Sequence, residues 1–235
     1  MTTTLITGAN RGLGRETARR LIAAGHRVYL GSRDERRGRE AAAGLGARPV
    51  VMDVTDDASV RGAAELVGAE AGRLDVLVNN AGVVGLGNDA HEATADQVRI
   101  TYETNVFGIV RVTHAFLPLL ERSAAPVVVN VSSGLGSLGI ADAPERHTSL
   151  LPVYYAALAY NSSKAALNML TVQYARSHPG MRINAVDPGH TATDFNGHQG
   201  PQTVAEGAEV IVRMAMIGPD GPSGGFFGNN GPVPW

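Results

Sequence analysis

The sequence predicts an α/β domain built on a single doubly wound, largely parallel sheet of about seven strands with helices on both faces. Three observations predict it. Short β-branched or aliphatic runs alternate with longer Ala-rich stretches at helical spacing, the pattern of parallel strands joined by right-handed helical crossovers. The first such run breaks into a glycine turn, Thr7-Gly8-Ala9-Asn10-Arg11-Gly12-Leu13-Gly14, before the first helix. Polar clusters then follow successive strands, at the sheet end where such folds bind ligands.

Composition narrows the function classes. At 235 residues and 44% hydrophobic, the chain suits one domain over residues 1–235 with a sizeable core. A net charge of −2 offers no electrostatic footprint for nucleic acid or an anionic membrane. With no cysteine, disulfides, thiol nucleophiles and thiolate-bound metals are excluded. The N-terminal apolar run is short and no later run is long enough to span a bilayer, so a cytoplasmic protein is expected.

Strands are expected at Thr3–Thr7, Arg27–Gly31, Pro49–Met52, Val76–Val78, Pro126–Val131 and Arg182–Val186, with a weaker one at Gly225–Phe227. Helices are expected over about 12–24, 34–44, 56–71, 93–122, 153–177 and 202–217. The glycine turn opens the first strand–helix unit. Its residues allow backbone to approach a pyrophosphate at a helix N-terminus, or serve only as a tight connection. After the second strand comes Gly31-Ser32-Arg33-Asp34. An acid at this point accepts from the ribose of NAD, whereas an Arg accommodates the 2′-phosphate of NADP. Ser32 stands in the acid's place with Arg33 behind it, which favours NADP. The plainer reading of Arg33 is a solvated charge beside Arg36, Arg37 and Arg39, and Arg11 discriminates weakly.

Asp53-Val54 follows the third strand, where a carboxylate could accept from an adenine amino group or cap the next helix, although Thr55 and Asp56 are better placed to cap. Asn79-Asn80-Ala81-Gly82 ends the fourth strand and suits either close passage of a ligand or a turn. Asn105 lies inside a long helix, where Asn is a poor interior residue. Ser133 follows the fifth strand in Asn130-Val131-Ser132-Ser133-Gly134. The most informative pair is Tyr160 and Lys164, four apart on a helix expected to have one apolar face, and so pointing the same way. The chain holds nineteen Arg and a single Lys, Lys164. A nearby ammonium favours the phenolate and brings a tyrosine into range as a general acid or base. His190 and His198, near Asp187 and Asp194, have spacing that fits no compact metal site, so no metal is expected.

Taken together, Thr7–Gly14, Asp53, Asn79–Gly82, Asn105, Ser133, Tyr160 with Lys164, and Asp187-Pro188-Gly189 resemble the short-chain dehydrogenase/reductase family along essentially the whole chain. The stretch from Gly224 to Trp235 and Ala205-Glu206-Gly207-Ala208 resemble its carbonyl reductases. The resemblance implies a Rossmann fold and NADP(H), with Gly8, Asn10, Arg11, Gly12, Leu13, Gly14, Ser32, Arg33, Asp53, Val54, Asn79, Ala81, Gly82, Pro188 and Gly189 around the cofactor. It implies that Tyr160 donates a proton to a substrate carbonyl and that Lys164 lowers the Tyr160 pKa and holds the nicotinamide ribose. Ser133 would bind the carbonyl oxygen and Asn105 a relay water. Backbone at Thr191 would bind the carboxamide, with the Thr193 hydroxyl assisting.

Ser133 and Tyr160 stand 27 positions apart, farther than in many relatives. Monomeric carbonyl reductases carry a longer insertion here, which covers a dimerisation face, so monomer and homo-oligomer both stay open. Substrate loops are expected at about 134–155 and 189–201. Leu135, Leu138, Leu151, Val153, Tyr154, Tyr155 and Phe195 either wall a pocket or pack the insertion. The expected activity is reversible reduction of a small-molecule ketone or aldehyde with NADPH. The alternatives are an NAD-dependent alcohol dehydrogenase and a non-catalytic NADP-sensing regulator.

Overall fold

The computed structural model describes residues 1–86 and 89–235. Among the described residues, eight strands form one sheet: β1 (Thr3–Ile6), β2 (Arg27–Ser32), β3 (Arg48–Val51), β4 (Val76–Asn79), β5 (Val127–Val131), β6 (Arg182–Asp187), β7 (Phe226–Gly228) and β8 (Gly231–Pro232). Their order is β3-β2-β1-β4-β5-β6-β7-β8, with every neighbouring pair parallel except β7 and β8. The eighth strand exceeds the expected seven. It is two residues long and ends on Pro232, which an edge position tolerates because no further N–H is needed there.

The helices are α1 (Gly12–Ala23), α2 (Glu35–Ala43), α3 (Asp57–Ala71), α4 (Ala95–Tyr102), α5 (Gly108–Leu120), α6 (Leu138–Asp142), α7 (Leu158–Ser177) and α8 (Val204–Ala215). Successive strand residues face opposite sides, so Leu5 and Ile6 enter different cores. Ile6, Leu30, Val78 and Val129 pack with Ala18 and Leu21 of α1, Ala41 of α2 and Ile211 of α8. Leu5, Leu77, Val128 and Ile183 pack with Val60 and Val67 of α3 and Val112 and Phe116 of α5. The chain leaves β1 toward β3, then returns to place β4 on the other side of β1. That reversal opens a crevice at the carboxyl ends of β1 and β4.

Two helices depart from expectation. The stretch expected as one helix over 93–122 contains a π-helical turn, Glu103–Phe107, in which the N–H of Gly108 reaches Glu103 O five residues back. The helix expected from 153 begins at Leu158, because 151–157 carries no regular structure and holds Pro152. Nor is the inward face of α7 chiefly apolar. It holds Ser163, Lys164, Asn168 and Thr171 beside Ala159 and Leu167, while Met169 is exposed.

Polar pegs seat that face. Asn79 Nδ2 donates to Asn130 Oδ1 at 2.9 Å, and Asn130 Nδ2 donates to Thr171 Oγ1 at 2.9 Å, a buried ladder from β4 through β5 to α7. Ser132 Oγ donates to Asn168 Oδ1 at 2.6 Å, and Asn168 Nδ2 donates to Gly136 O at 3.1 Å. Gly136 lies so close to α7 that a β-carbon there would fall 2.5 Å from Lys164 Cβ and 2.6 Å from its carbonyl carbon. Gly136→Ala is expected to push α7 off its seat and cost at least ~1–3 kcal/mol of stability in urea denaturation. An unchanged midpoint would mean that α7 accommodates the methyl.

Candidate active site

The glycine turn between β1 and α1 is shaped by close contacts. Gly8 has φ +61°, a left-handed conformation, and a β-carbon there would lie 3.0 Å from Ala81 Cα. One on Gly14 would lie 2.5 Å from Asn80 Nδ2. Thr7 Oγ1 accepts the N–H groups of Asn80 (3.0 Å) and Ala81 (2.8 Å), and Asn80 Nδ2 donates to Thr7 O (2.8 Å) and Gly8 O (3.1 Å). The Asn79–Gly82 segment is thus stitched to the turn by Asn80. The Asn79 side chain belongs to the buried ladder and is not available to a ligand, contrary to expectation.

Ser32 is buried and donates to Asp34 O at 2.9 Å, shaping the turn. Arg33 is exposed. Arg37, which the sequence offered only as a helix-start charge, lines a polar cleft of about 390 Å³ with Asn10, Arg11 and Arg15. Asp53 Oδ1 accepts from Thr55 N (2.9 Å) and Thr55 Oγ1 (2.7 Å), while Asp56 caps α3. Asp53 therefore shapes a turn rather than capping, and its Oδ2 stays clear of those contacts. Val54 is buried against Gly108.

The carboxyl end of β6 leads through Asp187-Pro188 to Gly189, at φ +75°. The following loop folds over the glycine turn. A β-carbon on Gly12 would lie 3.7 Å from Thr193 Cγ2, and Arg11 pairs with Asp194 at 3.2 Å. Thr191 is buried, with its hydroxyl directed to backbone oxygens of Pro188 and Gly189. The two histidines do not converge on a common ligand. His190 meets Tyr155 edge-on at 6.0 Å, and His198 pairs with Asp194 at 2.8 Å. Among the described residues, no group of three or more His, Asp or Glu is placed to hold a metal.

At the centre stand Ser133, Tyr160 and Lys164. Lys164 is 4% exposed, and its Nζ donates to Val131 O at 2.8 Å and lies 5.6 Å from the Tyr160 ring centroid. Burial lowers its pKa to about 8. Tyr160 as a residue is only partly buried, yet the packing around its phenol raises the pKa well above the ordinary tyrosine value. A hydrogen bond from Ser133 opposes that rise, and the charge of Asp187 adds to it. The expected lowering of the Tyr160 pKa does not occur: burial raises it, and the opposing influence comes from Ser133 rather than from Lys164. Ser133 Oγ also accepts the N–H of Leu135 at 3.2 Å, which fixes the hydroxyl beside the phenol.

Asn105 is fully buried in the π-helical turn. Its Oδ1 accepts from Val83 N at 2.9 Å, and its Nδ2 donates to Val83 O (2.9 Å) and Ser163 Oγ (3.0 Å). A polar residue unsuited to a helix interior is here a brace between the loop after β4 and α7. A β-carbon on Gly82 would lie 3.4 Å from Asn105 Oδ1 and 3.7 Å from Lys164 Nζ, so the two groups flank one small gap.

The substrate side divides the expected pocket residues. The Phe195 ring lies 6.0 Å from that of Tyr160. Tyr155 and Val153 are exposed near it in sequence, and Leu135 is half-buried. Tyr154 and Leu151 instead pack on Ile140, Ala185, Phe226 and Val233 in a small third core. Leu138 lines an apolar groove of about 710 Å³ on the outer side of α7, with Met169 and Trp235. Apolar residues in an irregular loop carry no periodicity, so the sequence cannot sort wall from packing.

The Lys164 pKa has a measurable consequence. In the folded chain Lys164 loses its proton near pH 8, while unfolded it stays charged to the usual lysine value. Between those limits the unfolded state binds more protons, so stability rises with pH. Relative to Lys164→Met, the wild-type protein is expected to gain unfolding free energy as pH rises through 8. Parallel stability curves for the two proteins would contradict the buried, depressed lysine.

Comparison with known proteins identifies the family. Residues 2–203 match the sequence model of the short chain dehydrogenase family. The chain is 37% identical to a (+)-neomenthol dehydrogenase of Arabidopsis thaliana, covering 95% of this chain and 94% of that one. It is 35% identical to a (−)-isopiperitenone reductase of Mentha piperita, covering 95% of each. Among solved structures, salutaridine reductase of Papaver somniferum superposes with a TM-score of 0.83 at 31% identity, over 96% of this chain and 99% of that one. An NADPH-bound carbonyl reductase from chicken fatty liver gives 0.86 at 29%, over 100% and 99%. With the glycine turn, the serine, the tyrosine and the lysine assembled at one end of a doubly wound sheet, the chain belongs to the short chain dehydrogenase family of oxidoreductases.

Proposed function

We propose that the protein reduces a ketone or aldehyde to the alcohol, reversibly, with NADPH, and that Tyr160 is the general acid. The observation that carries the reading is the meeting of Ser133, Tyr160 and Lys164 beside the glycine turn. NADPH supplies the hydride when bound. Gly8, Gly12 and Gly14 leave backbone open to its pyrophosphate, and Arg11 and Arg37 of the polar cleft, together with the exposed Arg33 after β2, suit its 2′-phosphate. Relatives named as reductases, and the NADPH bound to the chicken carbonyl reductase, support the same choice.

The chain's own groups divide the work as follows. The carbonyl oxygen is received by the Ser133 hydroxyl and the Tyr160 phenol, which steady the charge that develops there. The raised Tyr160 pKa keeps the phenol protonated at neutral pH, the form a donor needs. Lys164 holds ribose hydroxyls and, through a water in the gap beside Gly82 and Asn105, returns a proton to Tyr160. Thr191 and Thr193 hold the carboxamide side. Phe195, Leu135 and Tyr155 favour a carbonyl with an apolar substituent. The enzyme works in the cytoplasm on a small molecule.

Tyr160→Phe keeps the ring and removes the donor, so NADPH should still bind while reduction falls by at least ~10²-fold. Near-normal turnover across a panel of ketones and aldehydes would sink the assignment. Arg33→Ala should weaken NADPH far more than NADH in fluorescence titration. Equal losses for both coenzymes would show that Arg33 does not read the 2′-phosphate.

A further inference from the structure

The reaction as proposed leaves one buried ionisable group in the site without a task. Asp187 closes β6 and is only 8% exposed. Burial raises its pKa above the usual carboxylate value, while the N–H of Gly189, which Oδ1 accepts at 3.0 Å, and the N–H of Gly134 favour its charge. The fit against Gly134 is close, since a β-carbon there would lie 2.9 Å from Oδ2. Gly134 directly follows Ser133, and Gly189 opens the segment carrying Thr191 and Thr193. The ladder between β5 and β6 ends at Val131 and Val186, with one more bond from Ser132 N to Val186 O. Beyond that point the sheet no longer ties the serine loop to the threonine loop. The Asp187 carboxylate does.

Its charge is met by backbone N–H groups and not by a cation. The ionisable neighbours on the surrounding elements are accounted for elsewhere. Lys164 of α7 is committed to Val131 O, and Arg213 of α8 to the carbonyls of Gly228 and Asn229. The His190 ring packs on Tyr155, and β7 brings no ionisable side chain. What remains against the carboxylate is Gly134, next in the chain to Ser133, whose hydroxyl bonds the Tyr160 phenol. A turn at Pro188-Gly189 needs only an uncharged acceptor such as Asn, so an anion here is a costly choice for a structural bond alone.

We infer that Asp187 is a positioning residue for the reduction, clamping the serine loop to the threonine loop and holding a negative charge beside the Tyr160 phenol. The inference rests on the reading of Ser133, Tyr160 and Lys164 as the reducing site. The clamp keeps the carbonyl-binding hydroxyl and the carboxamide-binding loop in mutual register. The charge disfavours the phenolate, so it keeps the proton on Tyr160 until the substrate oxygen takes it. In alcohol oxidation, where the phenolate is the base, the same charge works against the enzyme.

The test compares wild type, Asp187→Asn and Asp187→Ala for NADPH binding, carbonyl reduction and the pH profile of alcohol oxidation. Asp187→Asn keeps an acceptor for Gly189 and loses the charge together with the acceptor oxygen that faces Gly134. NADPH should bind it as it binds wild type, and the acid limb of oxidation should move to lower pH. Asp187→Ala loses the clamp as well, and its reductive kcat/KM should fall on the order of 10²-fold. A purely structural aspartate leaves the Asp187→Asn profile on that of wild type, and that result overturns the inference. Should Asp187→Ala fail to fold, the Asp187→Asn pH profile alone decides. Wild-type protein that turns over no carbonyl and no alcohol overturns instead the reading on which the inference rests.

Discussion

The polar underside of α7 governs where the chemistry sits. Lys164, Asn168 and Thr171 are spaced four and three apart, so they share one face of the helix. Each is buried, and each is bonded to β5 or to the turn that follows it. A buried polar group left without its partner costs ~1–3 kcal/mol, so displacing α7 by a turn or rotating it would break several such bonds together. Apolar faces tolerate sliding far better, because burial is non-directional. The price of this choice is a weakly apolar helix, and what it secures is the rotation of Tyr160. One turn before Lys164, that residue is left beside Ser133 and open to the cleft.

Electrostatics in the site follow from that seating. Removing Lys164 from water depresses its pKa, and enclosing the Tyr160 phenol raises its own. Desolvation penalises the charged form of each group, and it is the largest influence on both. The chain on its own therefore holds tyrosine as a neutral acid and lysine as a cation near its titration point. The Asn105 brace acts in the same region by a different means. A π-helical turn widens the α4–α5 helix at the point where the Asn105 amide reaches both Val83 and Ser163. Such turns concentrate at functional sites because they re-aim a side chain that a regular helix would direct elsewhere.

The loop beyond β6 is held less firmly than the helix. Its contact with the glycine turn is an Arg11–Asp194 pair in which both side chains are about half exposed. Pairs of that kind contribute ~0–1 kcal/mol. The inner anchor of the loop is the buried Asp187, which holds the N–H of Gly189. The segment is thus fixed at its root by a buried carboxylate and latched at its tip by a solvent-screened pair.

The sequence by itself determined the sheet, its winding and the residues that meet at its carboxyl ends. Strand alternation and the glycine turn are local patterns, and Ser133, Tyr160 and Lys164 were visible as residue types in characteristic positions. Tertiary structure decided what those groups do to one another. Whether burial or the ammonium sets the Tyr160 pKa depends on packing density, which no spacing encodes. Asn79 and Asn80 look alike in the chain, yet one joins a ladder under the sheet and the other stitches the glycine turn. The same holds for Tyr154 and Tyr155, of which the first enters a small core and the second meets His190. Arg37 and Asp187 gained their places only when α2 and the ends of β5 and β6 were brought together. Local hydrogen-bonding and hydrophobic patterns are properties of a segment, whereas desolvation and partner choice are properties of the assembled neighbourhood.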